Sequence, residues 1–220
     1  PYPFATRTHE ITDRRLAAVA CPGTHGWFSH GCRLKMGMDN IARFAAEGVK
    51  CGTEGFLNTD WGNNGHRNLM AVSLHNLAWG AAHAWAHGGT HEEGFTERFC
   101  TQTFGNDCQS LAAAIRQLGT DVPSQRWDAH ILYNGLIPSV QASYNHMEMA
   151  LDALEFVTLP DLRKHEAMLS GLRWPTPASA RSAFLSETLQ EYRMAAQLDI
   201  LSCRRCHALK RARTGQRSPE

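Results

Sequence analysis

The chain has 220 residues, of which 22 are Lys or Arg and 21 are Asp or Glu, so its formal charge is +1 with histidine neutral. This balance excludes polyanion binding driven by bulk charge, and we expect no nucleic-acid partner. Hydrophobic residues make up 43% of the chain and charged residues 20%, which excludes a disordered, collagen-like or disulfide-scaffold protein.

The first third of the chain alternates strand and helix patterns. Residues 16–21 form a short apolar run that Pro22-Gly23 stops, which predicts a strand buried on both faces. Asp39 is placed to cap a helix that Gly48 closes. Residues 55–60 are apolar at their start and polar at their end, and they predict a second strand.

A second helix is predicted over residues 67–86, where Gly80-Ala81-Ala82 offers a small-residue face for packing on a sheet. The order strand, helix, strand, helix over residues 14–87 predicts a parallel sheet with right-handed crossovers. From residue 92 onward the patterns are helical only. These helices are predicted over residues 96–104, 108–118, 140–154, 161–171 and 178–210.

Two parallel strands leave both edges of a sheet uncovered, so we expect further strands outside this chain. A (β/α)8 barrel usually takes ~250 residues. We therefore predict an α/β fold in which residues 1–91 form the last two βα units of a TIM barrel. Residues 92–220 are expected to form an all-helical C-terminal region. The chain opens on Pro1 rather than Met, which indicates a processed or truncated chain, a fragment of a longer protein.

Polar and aromatic residues gather where both predicted strands end. Trp27 follows the first strand, and Asp60, Trp61, Asn63 and His66 close or follow the second. Carboxylate and amide groups hydrogen-bond sugar hydroxyls, and an indole offers a flat apolar face to a pyranose ring. Because the loops after neighbouring barrel strands open on one face, these residues predict a carbohydrate site. The alternative is that both tryptophans pack inward and that Asp60 and Asn63 hydrogen-bond turn amides.

The motifs around these residues resemble bacterial glycoside hydrolase family 20 proteins, the β-N-acetylhexosaminidase-like enzymes. Cys21-Pro22-Gly23-Thr24 precedes Trp27, and Asn58-Thr59-Asp60-Trp61-Gly62 precedes Gly65-His66. The resemblance covers residues 14–87. It implies that the two strands are the seventh and eighth of the barrel.

The resemblance also implies an activity, the removal of terminal N-acetyl-hexosamine from glycosides with retention of configuration. In this family the substrate's own 2-acetamido oxygen attacks the anomeric carbon, so no metal or organic cofactor is expected. The general acid Glu and its neighbouring Asp would lie upstream of this chain. We therefore expect no catalytic residue here and no activity from the fragment alone.

By the same resemblance, five residues are expected to contact the carbohydrate: Trp27, Asp60, Trp61, Asn63 and His66. Family members usually carry Asp where this chain has Asn63, which removes a charge from the site. A carbohydrate-binding relative that lacks catalysis therefore stays open as an alternative. Sugar and linkage preference and oligomeric state stay open as well.

A second alternative comes from the C-terminal region. Cys203-Arg204-Arg205-Cys206-His207 matches the C-x-x-C-H pattern of c-type haem attachment, which would make the chain a helical interaction module. Such short motifs often match by chance. We favour incidental cysteines near a helix end, and a basic last turn that suits the negative end of the helix dipole.

His83 and His87 share a predicted helical face, a spacing that suits zinc. Ala84 follows His83, so the Glu of a His-Glu-x-x-His site is absent. We expect these histidines to lie at the surface or to be satisfied by protein contacts, and we expect no metal.

Two further patterns bear on membrane and compartment. The most apolar stretch, residues 69–86, is interrupted by Ser73, His75, Asn76 and His83, so no transmembrane helix and no membrane partner are predicted. Seven cysteines at irregular spacing are typical of reduced thiols. This favours a reducing compartment such as the cytoplasm, and export stays open.

Overall fold

The computed structural model describes residues 4–62, 68–105, 109–120, 122, 131–134, 154–175 and 183–215. Two strands lie in this part of the chain, β1 (Val19–Ala20) and β2 (Gly55–Phe56). The helices are α1 (Phe4–Thr12), α2 (Leu34–Lys50), α3 (Met70–Ala86), α4 (Phe95–Phe104), α5 (Gln109–Leu118), α6 (Ile131–Asn134), α7 (Leu159–Ser170) and α8 (Ala183–Arg213), and a 3-10 turn, His87–Gly89, follows α3.

The predicted fold class, an α/β fold with the last two βα units of a TIM barrel, is wrong. The described residues are mostly helical, and their sheet is one parallel pair with two residues in each strand. Val19 pairs with Gly55 and Ala20 with Phe56, and an isolated bridge extends the pairing at Gly23. Pairing stops there, so the apolar residues 16–21 are not covered on both faces, and Val19 is exposed.

Helix α2 begins earlier than predicted. It starts at Leu34, so Asp39 lies inside the helix and pairs with Lys35 instead of capping. Gly48 is also inside, where a Cβ would come within 3.2 Å of the Cβ of Ala20. The left-handed residue after the helix is Gly52, with φ 67°. Gly48 therefore allows α2 to approach β1, and Gly52 makes the turn.

The bounds of most other predicted helices agree with those in the structure. Five of them are confirmed within a few residues, as α3, α4, α5, α7 and α8. Helix α7 begins at a cap that the sequence did not single out, since Thr158 Oγ1 accepts the backbone N–H of Asp161 at 3.2 Å. The helix predicted at 140–154 lies outside the described residues except for its last position, and helix α1 was not expected.

The main core combines residues from both predicted regions. Ile41 of α2, Trp79 of α3, Phe99 of α4 and Tyr192 of α8 belong to one buried apolar cluster. Helix α8 packs against α3, α6 and α7. No described helix combines the length and the apolar character needed to cross a bilayer.

Candidate functional site

A cavity of about 450 Å³ lies where β1 and β2 end. The segments that follow the strands run side by side, because Thr59 N–H donates to Pro22 O at 2.8 Å and Thr24 N–H donates to Thr59 O at 2.9 Å. Trp27 and Trp61, which follow different strands, therefore line one cavity. Its lining residues are Cys21, Gly23, His25, Trp27, Phe28, Asn40, Thr59 and Trp61. The volume is in the range of small-molecule sites.

Trp61 lies at the rim of this cavity with 58% of the residue exposed. The alternative that Trp61 belongs to the core is therefore wrong. Its indole N–H donates to Thr59 Oγ1 at 2.9 Å, and that hydroxyl donates to Pro22 O, also at 2.9 Å. One edge of the ring is thus held to the strand pair while most of the ring stays accessible.

Trp27 is fixed more tightly than Trp61. The Arg33 guanidinium lies 5.7 Å from the Trp27 ring centroid, and Arg33 Nη2 donates to Trp27 O at 2.7 Å. A Cβ at Gly23 would stand 2.7 Å from a ring carbon of Trp27. Gly23 therefore makes room for the indole beside the strand end.

Like Asn40, His25 lines the cavity but was not among the predicted site residues. Its ring packs on Trp27 with centroids 4.3 Å apart, and its backbone has φ 62°, a conformation uncommon outside glycine. Burial, and next the charge of Arg33, lowers the pKa of His25 to about 4. The imidazole is therefore neutral at pH 7. A polar ring between Gly23 and Trp27, in the loop after a strand, is the signal that could have singled it out.

Asp60 lies beside the cavity but is not one of its lining residues. Its Oδ1 accepts hydrogen bonds from Thr24 Oγ1 and from Ser73 Oγ, the latter at 3.0 Å. Asp60 thus joins the loop after β1 to α3 and holds the loops that carry Trp27 and Trp61. Asn63 and His66 lie outside the described residues.

Buried Asn76 of α3 supports the same loop from the helical layer. Its Nδ2 donates to Thr24 O at 2.8 Å and to Leu34 O at 3.3 Å. Asn58 Nδ2 donates in turn to Asn76 O at 3.0 Å. Because buried polar groups are costly unless they are hydrogen-bonded, this network specifies one position for the loop.

The C-x-x-C-H motif does not have the geometry of a haem site. Cys203 and Cys206 are 0% and 1% exposed, in a buried cluster that includes Leu162 of α7. Burial raises the pKa of both thiols, that of Cys206 to about 11. His207 instead receives the Nε–H of Arg163 at 3.1 Å. Both sulfur atoms therefore lie inside the protein in this structure.

The predicted histidine pair is divided between two elements, because His83 lies in α3 and His87 begins the 3-10 turn that follows it. His83 is buried and packs edge-on against Trp79, with centroids 4.4 Å apart. Within the described residues no group of three or more His, Cys, Asp or Glu side chains is placed to hold a metal ion. Six cysteines of this part of the chain are free thiols.

Comparison with known proteins adds no relative. Searches of protein-family models, curated proteins and solved structures find no match to this chain. The cavity, with the residues of the Asn58-to-Gly62 motif, is therefore the feature of this chain that indicates a function.

Proposed function

We propose that this chain supplies a sugar-binding wall of a β-N-acetylhexosaminidase-like glycoside hydrolase of family 20. Such an enzyme removes terminal N-acetyl-hexosamine by a substrate-assisted retaining mechanism. The observation that carries the proposal is that Trp27 and Trp61 line the same cavity. Thr59 and Trp61, from the motif that carries the resemblance, line this cavity, and Asp60 lies beside it.

The chemistry of the lining supports a neutral, partly apolar ligand. None of the lining residues is a carboxylate, an ammonium or a guanidinium, and His25 is neutral at pH 7. The apolar C–H face of a pyranose packs on an indole, and its hydroxyls need nearby hydrogen-bonding groups. Asn40 supplies one, because its Nδ2 donates to Gly23 O at 3.3 Å while its carbonyl oxygen accepts.

The catalytic step is proposed to use residues upstream of this chain. A Glu would act as general acid and base, and a neighbouring Asp would orient the 2-acetamido group, as the resemblance implies. The cavity residues of this chain bind and orient the sugar. The chain alone is therefore expected to bind N-acetylglucosamine without hydrolysing its glycosides.

The test is a titration of the 220-residue chain with N-acetylglucosamine, followed by saturation-transfer NMR. We expect saturation of the sugar protons by the wild type and its loss in Trp61→Ala. Trp85→Ala is the matched control, because Trp85 is 93% exposed on α3 and is not a lining residue of the cavity. Equal saturation in wild type and Trp61→Ala would contradict the proposal.

A second measurement tests the division of roles. Incubation of the chain with an aryl N-acetylglucosaminide is expected to release no chromophore, and appreciable release would show a catalytic acid within this chain. The non-catalytic alternative predicts the same binding. The sequence encoded before Pro1 distinguishes the hydrolase from the non-catalytic binding protein, because only the hydrolase requires an Asp-Glu pair after a strand.

A further inference from the structure

Within the described residues, no hydrogen-bond partner is found for the imidazole ring of His25, which lines the cavity. The Nδ1 atom of this ring is buried. Nε2 is the ring nitrogen left for the cavity. A buried polar atom without a partner is uncommon in folded proteins and calls for an explanation.

We propose that His25 is a specificity-determining residue that presents Nε2–H to the cavity and donates a hydrogen bond to an uncharged oxygen of the ligand. The acceptor class is a carbonyl or hydroxyl oxygen, such as the acetamido oxygen or a ring hydroxyl of an N-acetyl-hexosamine. This inference rests on the proposed function.

The position of the proton follows from the cost of the two tautomers. In a neutral imidazole one nitrogen donates and the other accepts. A buried N–H without an acceptor is rarer in proteins than a buried acceptor atom without a donor. The reason is that the unpaired N–H loses its hydrogen bonds to water and gains none in return. Since Nδ1 of His25 has no partner in the described part of the chain, the proton belongs on Nε2, and the ring faces the cavity as a donor.

The backbone at His25 is held in place by its surroundings. His25 O accepts the backbone N–H of Arg33 at 3.2 Å, and the ring packs on Trp27. At the next residue, Gly26, a Cβ would stand 2.9 Å from Asp60 Oδ1. A left-handed backbone at a histidine persists only where neighbouring contacts impose it, and such positions cluster at functional sites.

The charged groups around the His25 ring favour its neutral form, which has a single N–H donor. Arg33 lies on one side and lowers the pKa of His25, adding to the effect of burial. Asp60 accepts hydrogen bonds from Thr24 and Ser73, and Cys21 is the other titratable residue that lines the cavity. With a pKa of about 4, His25 keeps the same protonation state from pH 8 down to pH 5. The hydrogen bond to the ligand should therefore not vary over this range.

The test uses three variants of the full chain and N-acetylglucosamine as the ligand. His25→Gly removes the donor and accepts φ 62° without strain, so the fold should not be weakened. His25→Asn restores an amide N–H donor on a residue that tolerates this backbone. Arg15→Gly is the control, because exposed Arg15 has φ 58° and does not line the cavity.

We expect His25→Gly to weaken binding about fivefold to tenfold, the effect of one neutral hydrogen bond. His25→Asn should recover most of this loss, and Arg15→Gly should bind as the wild type does. Wild-type affinity should be the same at pH 7 and pH 5. Unchanged affinity in His25→Gly, or a wild-type affinity that falls with a midpoint near pH 6.5, would overturn the inference and leave the proposed function standing.

A measurement without ligand completes the test. The imidazole ¹⁵N shifts of His25 are expected to show the Nε2–H tautomer at pH 7 and at pH 5, and an Nδ1–H tautomer would overturn the inference. If the wild type does not bind N-acetylglucosamine at all, the proposed function fails, and this inference fails with it.

Discussion

Nδ1 of His30 lies 2.8 Å from Oδ1 of Asp199, and both residues are buried. The contact joins the loop after β1 to α8 across 169 residues of sequence. The His30 ring also stacks on Tyr133, with centroids 5.5 Å apart. This pair fixes the loop that carries Trp27 and His25 to the longest helix of the described residues.

Removal of one partner of this pair should be costly. We expect Asp199→Ala to lower the free energy of unfolding by about 1–3 kcal/mol, because it leaves a buried polar group without its partner. Asp199→Asn should cost less, since an amide oxygen still accepts from the imidazole N–H. Urea denaturation measures both. The control is Asp39→Ala, which removes the exposed pair with Lys35 and should cost about 1 kcal/mol or less. Equal losses in Asp199→Ala and Asp39→Ala would contradict this prediction.

Gly37 should not tolerate a side chain. A Cβ there would stand 2.3 Å from Thr24 O and 2.2 Å from Asn76 Nδ2, inside the network that holds the loop after β1. We expect Gly37→Ala to destabilise the protein by about 2–3 kcal/mol, since a backbone atom must move. Gly88→Ala is the matched change, with no atom within 4 Å of its Cβ, and it should be neutral or slightly stabilising. Thermal unfolding compares the two, and a stabilised Gly37→Ala variant would show that α2 lies farther from the loop.

His75 should make the protein less stable in acid. Burial chiefly lowers its pKa from 6.5 to about 4, opposed by a hydrogen bond to Asn76 and by Glu97, while Arg116 lowers it further. Above pH 6.5 both the folded and unfolded states are neutral at this residue. As the pH falls from 6.5 toward 4, the unfolded chain takes a proton that the folded chain does not. Stability is therefore lost over that window, by about 2 kcal/mol at pH 5.

Comparison with a variant isolates this contribution from that of the other histidines. His75→Gln keeps hydrogen-bonding groups near Thr96, which bonds His75 Nε2 at 3.1 Å, but its side chain does not titrate. We expect His75→Gln to cost stability at pH 7 and the difference from wild type to narrow by about 2 kcal/mol at pH 5. Parallel stability profiles of the two proteins from pH 7 to pH 5 would show that His75 does not titrate in this way.

The cysteines should differ sharply in reactivity. Cys21 is exposed at the cavity, whereas Cys203 and Cys206 are buried thiols with raised pKa values. Because the thiolate is the reactive form, a thiol reagent should modify Cys21 in the native protein and reach the other two only on unfolding. Peptide mass spectrometry after timed labelling locates the modified sites, with Cys21→Ser as control. If Cys203 were labelled in the native protein as fast as Cys21, its thiol would be accessible rather than buried, and haem attachment would again be a possible function.

The sequence predicted local elements better than their assembly. The apolar spacing in residues 67–86 predicted α3. Of the predicted small-residue face, Gly80 lies against Asn58, whereas Ala81 is exposed. The barrel was wrong because Leu16 and Val19 have the composition of a buried strand but lie exposed beside a pair that ends after two residues. Strand-forming residues do not report whether a neighbouring strand exists.

The candidate site was predicted in part, because some of its features follow from the order of the strands and others depend on tertiary contacts. Trp27 and Trp61 line one cavity because each follows a strand of a parallel pair. This proximity can be predicted from the order of the strands along the chain. The inward hydrogen bonds of Asp60 and the left-handed backbone of His25 depend on contacts with Thr24, Ser73 and Arg33. The spacing of residues along the sequence does not predict those contacts. The contact between His30 and Asp199 is the clearest example, because 169 residues of sequence separate the two.

Helix α8 has a consequence for the order in which the chain is made. It supplies Leu189 and Tyr192 to the main core and Asp199 to the His30 contact, and it is the last described element in the sequence. A ribosome therefore releases α3 before α8, the helix that packs against it, exists. The nascent chain lacks Leu189 and Tyr192 of the main core until α8 emerges. Closure of this core is therefore a late step, and the preceding interval is one of exposure to chaperones and aggregation.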